Sequence, residues 1–305
     1  MRRARDMERQ DGAPGQASLG SGLSWLSVSA PRPRAWWATL GLVATVSGLA
    51  VGQIVLLSRR FGTTPVPAQV DVMVVPSGGA PISAAVVELA AFGDSGMAGV
   101  GVDQVEDCLP VQLAHRVADS MGRPVHVVGY ARSGAVTRDV LTRQVPRVRR
   151  QPDVSVLLVG TNDVIGITNP ATLTHSYRAL LDALVSLGAP VVMSSLPKFR
   201  AMRLVPHPLI DAVSGYGALV GVVQRRAAAP RPLVHFVDVV GGVGSEFVHD
   251  QSLMSADSFH PSAAGYGRIA DALAPVVLSV LEASEPLGQQ CGPQPPYAGD
   301  LNEEL

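Results

Sequence analysis

Five short apolar runs, separated by segments with helical spacing, constrain the fold of this chain more than any other feature. The runs lie at 86–92, 125–130, 154–159, 191–195 and 233–237. Runs that are apolar on every residue are typical of strands buried on both faces of a sheet. Since strands that alternate with helices form parallel sheets covered on both sides, the sequence predicts one three-layer α/β/α domain at residues 84–283.

Two of the intervening segments have a clear apolar stripe at helical spacing. The first carries Leu173, Tyr177, Leu180, Leu181, Leu184 and Leu187 and is followed by Gly188, a typical helix stop. The second, 261–281, begins with Pro261 in its predicted first turn and repeats apolar residues from Tyr266 to Leu281. Both are predicted to cover the sheet.

The chain upstream of the domain contains a run of 22 residues, 36–57, with no charged side chain. A helix of that length spans roughly 30 Å, the thickness of a bilayer's hydrocarbon core. We interpret it as a transmembrane helix or signal anchor. It lies between an Arg-, Gly-, Ser- and Pro-rich tail at 1–35, predicted to be disordered, and a Pro-rich linker at 58–83, while 284–305 reads as a loose C-terminal tail.

The orientation of this helix is predicted from the arginines around it. Arg32 and Arg34 precede it and Arg59 and Arg60 follow it, but four further arginines lie upstream, which favours a cytoplasmic N-terminus and a domain outside the cell membrane. A cleaved signal peptide, with secretion of the domain, is the alternative reading.

Charge and cysteine usage exclude several classes of function. The formal net charge of −1 gives the chain as a whole no attraction to nucleic acid. Cys108 and Cys291 are too few for a disulfide framework or a zinc site, although one bridge between them stays open. No group of His, Cys and carboxylates has metal-ligand spacing, so no metal site is predicted. The oligomeric state is not indicated.

Polar clusters follow the predicted strands at the edge where parallel sheets bind ligands. Asp94 and Ser95 end the first strand, Ser133 and Gly134 follow the second, and 160–163 (Gly-Thr-Asn-Asp) follows the third; 257–260 (Asp-Ser-Phe-His) precedes the last helix. A serine hydroxyl becomes a nucleophile when a base removes its proton and a third group orients that base. Ser95, His260 and Asp257 suit these three roles.

An oxyanion formed in acyl transfer also needs neutral hydrogen-bond donors. Asn162 offers a side-chain N–H, Gly134 a backbone N–H with no Cβ in front of it, and Ser95 its own N–H at the predicted start of a helix. Asp163 is expected to order its loop rather than to react.

The four clusters, in this order, resemble the SGNH (GDSL-like) hydrolase family. The last cluster, Asp257 to Tyr266 (Asp-x-x-His-Pro-Ser-Ala-x-Gly-Tyr), is most similar to that of actinobacterial secreted or membrane-anchored esterases. The resemblance implies a flavodoxin-like sheet, ester hydrolysis by a Ser95-His260-Asp257 triad, and no cofactor. Gly96 departs from the family pattern, which has Leu after the serine.

The sequence excludes one other class of serine hydrolase and argues against a second. Chymotrypsin-like proteases have His and Asp upstream of the serine, whereas the first histidine here, His115, follows Ser95. An ordinary α/β-hydrolase has a Gly-x-Ser-x-Gly elbow, and Met97 stands where the second glycine belongs.

Three functions remain open from the sequence. The first is an esterase for acyl or acetyl esters, the second an acyltransferase acting on a cell-envelope glycan or lipid, and the third a non-catalytic anchored binding module. Residues 196–216, with Phe199, Met202, Leu204, Val205 and Leu209, are expected to shape an apolar acyl pocket. The natural ester and its acyl chain length are not indicated.

Overall fold

The computed structural model describes residues 69–80, 84–203 and 205–284. Its strands are Asp71–Val74 (β1), Val87–Gly93 (β2), Val125–Gly129 (β3), Val154–Leu158 (β4), Val191–Ser194 (β5) and Val234–Val237 (β6). They form one sheet in the order β1-β3-β2-β4-β5-β6. All five apolar runs are strands, and strands β2 to β6 have the flavodoxin-like order that the resemblance implied.

The sheet is mixed rather than wholly parallel, which corrects the prediction. Strand β1 lies within the segment 58–83 that was predicted as a linker, and it pairs antiparallel with β3, with Val72 opposite Val127. Val70 and Val74 are buried whereas Asp71 and Met73 are exposed. This alternation is that of a half-buried edge strand, and the neighbouring prolines concealed it in the sequence.

Four long helices cover the sheet: Leu109–Met121 (α1), Pro170–Val185 (α2), Leu209–Ala228 (α3) and Ala263–Ser284 (α4). Helices α1 and α4 pack together in one core layer, and α2 and α3 in the other. The predicted stripe of α2 is buried from Leu173 to Leu184. Burying each such leucine contributes roughly 1.5–3 kcal/mol, so the two layers stabilise the sheet from both sides.

Short helical segments lie in the loops of the described residues. They are Val105–Asp107, Thr137–Asp139, a π-helical turn Val140–Gln144, Val145–Arg147, Thr161–Ile165, Phe199–Ala201, Val239–Gly242, Glu246–His249 and Gln251–Leu253. Most of them follow the carboxyl ends of strands, which is where the predicted site residues lie.

Helix α4 begins at Ala263, so Pro261 precedes it instead of occupying its first turn, and Pro275 lies inside it. Within the described ranges it is the one helix long and apolar enough to cross a membrane, but 56% of its most apolar window is buried inside the domain. We therefore interpret it as a core helix. The predicted transmembrane segment 36–57 and the tails 1–35 and 285–305, with Cys291, lie outside the described residues.

Candidate active site

Ser95 lies immediately beyond β2, where a glycine allows the chain to turn. Gly93 has a φ of +153°, and a Cβ on it would lie 2.0 Å from the carbonyl oxygen of Leu158 on the neighbouring strand β4. A side chain at this position is therefore excluded. The turn that follows is closed by hydrogen bonds from Ala98 N–H to Asp94 O (3.0 Å) and from Val100 N–H to Ser95 O (3.0 Å). No regular helix starts at Ser95, which corrects that expectation.

His260 is held by Asp257 in a tight loop before α4. Its Nδ1 lies 2.6 Å from Asp257 Oδ2. The other carboxylate oxygen, Oδ1, accepts from the Ser255 hydroxyl (2.7 Å) and from the backbone N–H groups of Phe259 and His260 (both 2.8 Å). Because three donors bind Oδ1, the orientation of the carboxylate is fixed. Oδ2 then accepts a hydrogen bond from His260, so the ring proton lies on Nδ1.

The electrostatics of this loop keep Asp257 ionised. Burial by itself would raise the pKa of its carboxyl, but the hydrogen bonds from His260, Ser255 and Phe259 outweigh burial and lower the pKa far below its ordinary value. The ring edge of Phe259 also packs against the His260 imidazole, with centroids 4.9 Å apart. Asp257 is thus a permanent acceptor that orients the imidazole.

The two other predicted oxyanion donors lie in loops that a hydrogen bond connects. Asn162, in the short helix after β4, donates from Nδ2 to the carbonyl oxygen of Ala135 at 3.0 Å. Gly134 precedes Ala135, has a φ of +80° and has open space where a Cβ would be. Within the described part of the chain, the backbone N–H groups of Ser95 and Gly134 donate to no other group. They are therefore available to a ligand, as is the second N–H of the Asn162 amide.

Asp163 orders this region, as expected from the sequence. One of its oxygens, Oδ2, accepts from both the backbone N–H and the hydroxyl of Thr137, each at 2.8 Å. Thr137 lies after β3 and Asp163 after β4. The buried carboxylate therefore connects the two loops that carry Gly134 and Asn162.

Gln144 is a site residue that the sequence reasoning missed. Its buried side chain accepts from Gly93 N–H (3.0 Å) and donates to Gly93 O (2.8 Å). Strand β3 ends at Gly129, paired with Ala91, so it does not reach Gly93. The Gln144 amide replaces the missing strand partner two residues before Ser95.

Replacing Gln144 by leucine is expected to lower the free energy of unfolding by about 1–3 kcal/mol, because the buried Gly93 N–H loses its acceptor. Urea unfolding followed by circular dichroism measures the change. Thr142→Ala, on an exposed position of the same helical turn, is the matched control. Equal stability of Gln144→Leu and wild type would contradict the role given to this amide.

Asp94 is a second buried carboxyl at the site that sequence reasoning did not use. Its Oδ1 accepts from Gly96 N–H at 3.2 Å, while Oδ2 has no hydrogen-bond partner among the described residues. Burial raises the pKa of Asp94 to about 6, against the lowering effects of hydrogen bonds from Gly96 and Thr161 and of the nearby His260.

The folded protein therefore holds the Asp94 proton more tightly than the unfolded chain, in which the pKa is 3.8. This contribution to stability is present at low pH and is lost as the pH rises through about 6. We expect wild type to lose about 2 kcal/mol of stability relative to Asp94→Asn between pH 4 and pH 7. Denaturant unfolding at the two pH values measures it, with the exposed Asp103→Asn as control. A pH-independent difference between wild type and Asp94→Asn would refute the prediction.

An apolar cavity of about 80 Å³ opens beside Ser95 and His260. Leu196 and Met202, both in the predicted pocket segment, line it. Three other residues predicted there are not part of its wall, namely Phe199, Val205 and Leu209, and Leu204 lies outside the described residues. Phe199 packs instead against Gly217 of α3, where a Cβ would lie 2.5 Å from its ring. The remaining wall is formed largely by Val239, Val243 and Phe247, which follow β6. The sequence analysis did not predict these three residues as pocket residues, although their spacing of four residues indicates one apolar helical face.

The arrangement of the Ser95 turn, the Asp257–His260 loop and the two connected loops that carry Gly134 and Asn162, on a flavodoxin-like sheet, is that of a GDSL-type hydrolase. The chain belongs to the GDSL-like Lipase/Acylhydrolase family, whose model matches residues 91–268, more than half of its length. The resemblance to SGNH (GDSL-like) hydrolases is therefore confirmed.

Individual relatives agree with this membership. The GDSL-like esterase Rv1075c of Mycobacterium tuberculosis is 28% identical over 195 residues, which cover 61% of this chain and 60% of that protein. The chain thus matches about three fifths of the length of this relative. Two solved structures share the fold. A Clostridium thermocellum family 3 carbohydrate esterase is 20% identical, with 65% of this chain and 98% of that chain covered and a TM-score of 0.51. The Pseudoalteromonas esterase EstA, in a structure inhibited by monoethylphosphonate, is 16% identical, with 64% of this chain and 98% of that chain covered and a TM-score of 0.51.

Proposed function

We propose that this chain is a serine esterase that hydrolyses acyl or acetyl esters, with Ser95 as nucleophile, His260 as base and Asp257 as the group that orients the base. The observation that carries the proposal is the 2.6 Å hydrogen bond between Asp257 Oδ2 and His260 Nδ1, with Ser95 and His260 in the wall of one cavity. Because Nδ1 donates to Asp257, Nε2 of His260 is the nitrogen that accepts a proton.

The reaction has two halves. In the first, His260 takes the proton of Ser95 Oγ while Oγ attacks the ester carbonyl, and His260 then gives that proton to the leaving alcohol. An acyl group remains on Ser95. In the second, His260 takes a proton from water while that water attacks the carbonyl carbon of the acyl-enzyme. His260 then gives the proton to Ser95 Oγ as the bond between Oγ and the acyl group breaks, which releases the acid and free Ser95. Asp257 stays ionised in both halves and stabilises the imidazolium.

The oxyanion of each tetrahedral intermediate is bound by Ser95 N–H, Gly134 N–H and Asn162 Nδ2. Support comes from the unused backbone donors at Ser95 and Gly134 and from the Asn162–Ala135 hydrogen bond, which holds the amide beside the Gly134 loop. Donors that are already oriented before the reaction need no reorganisation when charge develops, and losing one typically costs roughly a hundredfold or more in rate.

The cavity suits a short acyl group. An apolar cavity that binds benzene measures about 150 Å³, and the cavity beside Ser95 is close to half that size, at about 80 Å³. Its walls are mainly aliphatic and aromatic side chains, with Ser194, Ser195 and Lys198 also lining it. We therefore expect acetyl to butanoyl esters to be better substrates than palmitoyl esters.

For the location of the protein, we propose anchoring at the cell membrane through residues 36–57, with the hydrolase domain outside. The uncharged run and the larger number of arginines before it support this orientation. Protease digestion of intact cells tests it: the domain is expected to be cleaved, and a protected domain would contradict the proposal.

The catalytic proposal is tested by labelling and by substrate range. Wild type is incubated with a p-nitrophenyl alkylphosphonate and digested, and mass spectrometry is expected to find the phosphonyl adduct on Ser95. The same protein is assayed on p-nitrophenyl esters from acetate to palmitate. Ser95→Ala is the control for both and is expected to take up no label.

Two outcomes would contradict the proposal. An adduct on another residue, with Ser95 unmodified, would refute the nucleophile. Wild type that hydrolyses no ester in the series would favour the acyltransferase acting on an envelope glycan or lipid, or the non-catalytic binding module.

A further inference from the structure

A groove lined by arginines begins at the Gly134 loop. Its near part is lined by Arg132, Gly134, Arg143 and Arg147, together with Tyr130 and Gln144. Tyr130 and Arg147 also line an adjoining polar groove that contains Arg149 and Arg150. The acidic residues Asp71 and Glu88 line that second groove too, and both pair with His126. We call the whole surface the arginine groove. It is continuous because the two parts share these residues.

The positive charge of this surface is concentrated in one segment of the chain. Residues 131–150 contain six arginines and one acidic residue, Asp139, in a protein whose formal net charge is −1. Arg143 pairs with Asp139 at 3.4 Å and Arg150 with Glu88 at 3.1 Å. In the part of the chain that the structure describes, Arg132 and Arg147 have no ion-pair partner and are exposed. They are available to an anionic ligand.

The groove is connected to the candidate active site by hydrogen bonds. The backbone N–H of Arg132 donates to Gly93 O at 3.3 Å, two residues before Ser95. Gln144, in the groove wall, binds the same Gly93, and Ala135 accepts from Asn162. Because Gly134 lines the groove together with Arg132 and Arg147, an anion bound there would lie beside one of the proposed oxyanion donors.

The order of the strands separates the groove from the apolar cavity. Ser95 follows the central strand β2, the groove is built mainly after β3 on one side, and the cavity mainly after β4, β5 and β6 on the other. The two share no lining residue. An ester whose acyl group fills the cavity would extend its alcohol portion toward the arginines.

We propose that the alcohol portion of the substrate carries a phosphate group that binds Arg132 and Arg147; this rests on the proposed esterase function. Guanidinium groups bind phosphate oxygens in pairs and with charge assistance. A phosphate also offers enough acceptor oxygens for several arginines at once, whereas a neutral alcohol would leave them unused. The substrate class is thus a short-chain acyl ester of a phosphate-bearing alcohol.

The test compares glycerol monobutyrate with its 3-phosphate as substrates of the full chain. Wild type is expected to show a kcat/KM at least tenfold higher for the phosphate ester, with the preference falling as salt is added. In Arg132→Gln/Arg147→Gln the ratio of the two kcat/KM values is expected to fall at least tenfold. Arg226→Gln, an exposed arginine in the last turn of α3, is the matched control and is expected to keep the wild-type ratio.

Binding is measured separately from catalysis. Calorimetric titration of Ser95→Ala with glycerol 3-phosphate is expected to show binding that the added Arg132→Gln/Arg147→Gln changes weaken at least tenfold. Palmitoyl glycerol 3-phosphate, presented in micelles, distinguishes the source of the phosphate. Faster hydrolysis of the butanoyl ester supports a water-soluble, short-chain substrate, whereas a preference for the palmitoyl ester indicates a lipid headgroup and would overturn the short-chain assignment.

The outcomes separate this proposal from the esterase function. If wild type hydrolyses glycerol monobutyrate but shows no preference for its phosphate, or if the arginine changes leave the preference intact, the phosphate assignment is wrong and the esterase function stands. If neither ester is hydrolysed but glycerol 3-phosphate still binds through Arg132 and Arg147, the anion site stands and the esterase function is wrong.

Discussion

Replacing Ser95 by alanine is expected to lower kcat/KM for p-nitrophenyl butanoate by roughly 10⁴- to 10⁶-fold, the range found when a triad nucleophile is removed. The change deletes the oxygen that is proposed to form the acyl-enzyme. It leaves the backbone N–H of Ser95, and with it all of the proposed oxyanion donors. Stopped assays with a high enzyme concentration measure the residual rate.

A double variant separates catalysis from damage to the fold. If Ser95 and His260 act as one unit, as proposed, Ser95→Ala/His260→Ala is expected to be no more than a few-fold slower than Ser95→Ala alone. Ser95 is a small side chain, so the thermal midpoint of Ser95→Ala should stay close to that of wild type. The shared role would be refuted if the two changes together lowered the rate by the product of their separate effects. It would also be refuted if Ser95→Ala kept an activity close to that of wild type.

The second large effect is expected for Asp257→Asn, with a loss of about 10³- to 10⁴-fold in kcat near neutral pH. Three donors, from Ser255, Phe259 and His260, converge on Oδ1 of Asp257. In the variant these donors select the amide oxygen for that position and direct the NH₂ group toward His260 Nδ1. Nδ1 must then accept, so the proton moves to Nε2, and the imidazole can no longer take the proton of Ser95.

Ser255→Ala serves as the matched control for this prediction. It removes one donor to Oδ1 but leaves the carboxylate and the bond from Oδ2 to His260, so we expect at most a tenfold loss. The pH dependence of kcat for both variants is recorded with the butanoate ester. Activity of Asp257→Asn within tenfold of wild type would show that the tautomer of His260 does not depend on Asp257.

The sheet and the edge at which the site lies could be predicted because each depends on local patterns. The apolar runs of β2 to β6 identify buried strands. The residues that follow the ends of those strands indicate where the site lies, and they include Ser95, Gly134, Asn162 and the Asp257–His260 pair. Asp257 and His260 are three residues apart, so their contact is nearly a local property of one loop.

Gln144 and the cavity wall could not be predicted, because their roles depend on where distant elements end. Gln144 lies 51 residues from Gly93 in the chain, and it is needed only because β3 stops short of that glycine. Val239, Val243 and Phe247 form an apolar face that could equally have covered the sheet. Whether such a face packs against the sheet or lines a cavity depends on residues from elsewhere in the chain, such as Met202 on the same cavity wall.

Strand β1 has a practical consequence for the minimal folded unit. A truncated chain that starts at residue 84, the boundary suggested by the sequence, would lack β1 and leave β3 at the end of the sheet, with its backbone N–H and C=O groups unpaired. Exposed strand edges of this kind pair with other chains. Such a truncation is expected to self-associate, whereas a chain that keeps Val70 and the four residues of β1 should remain dispersed.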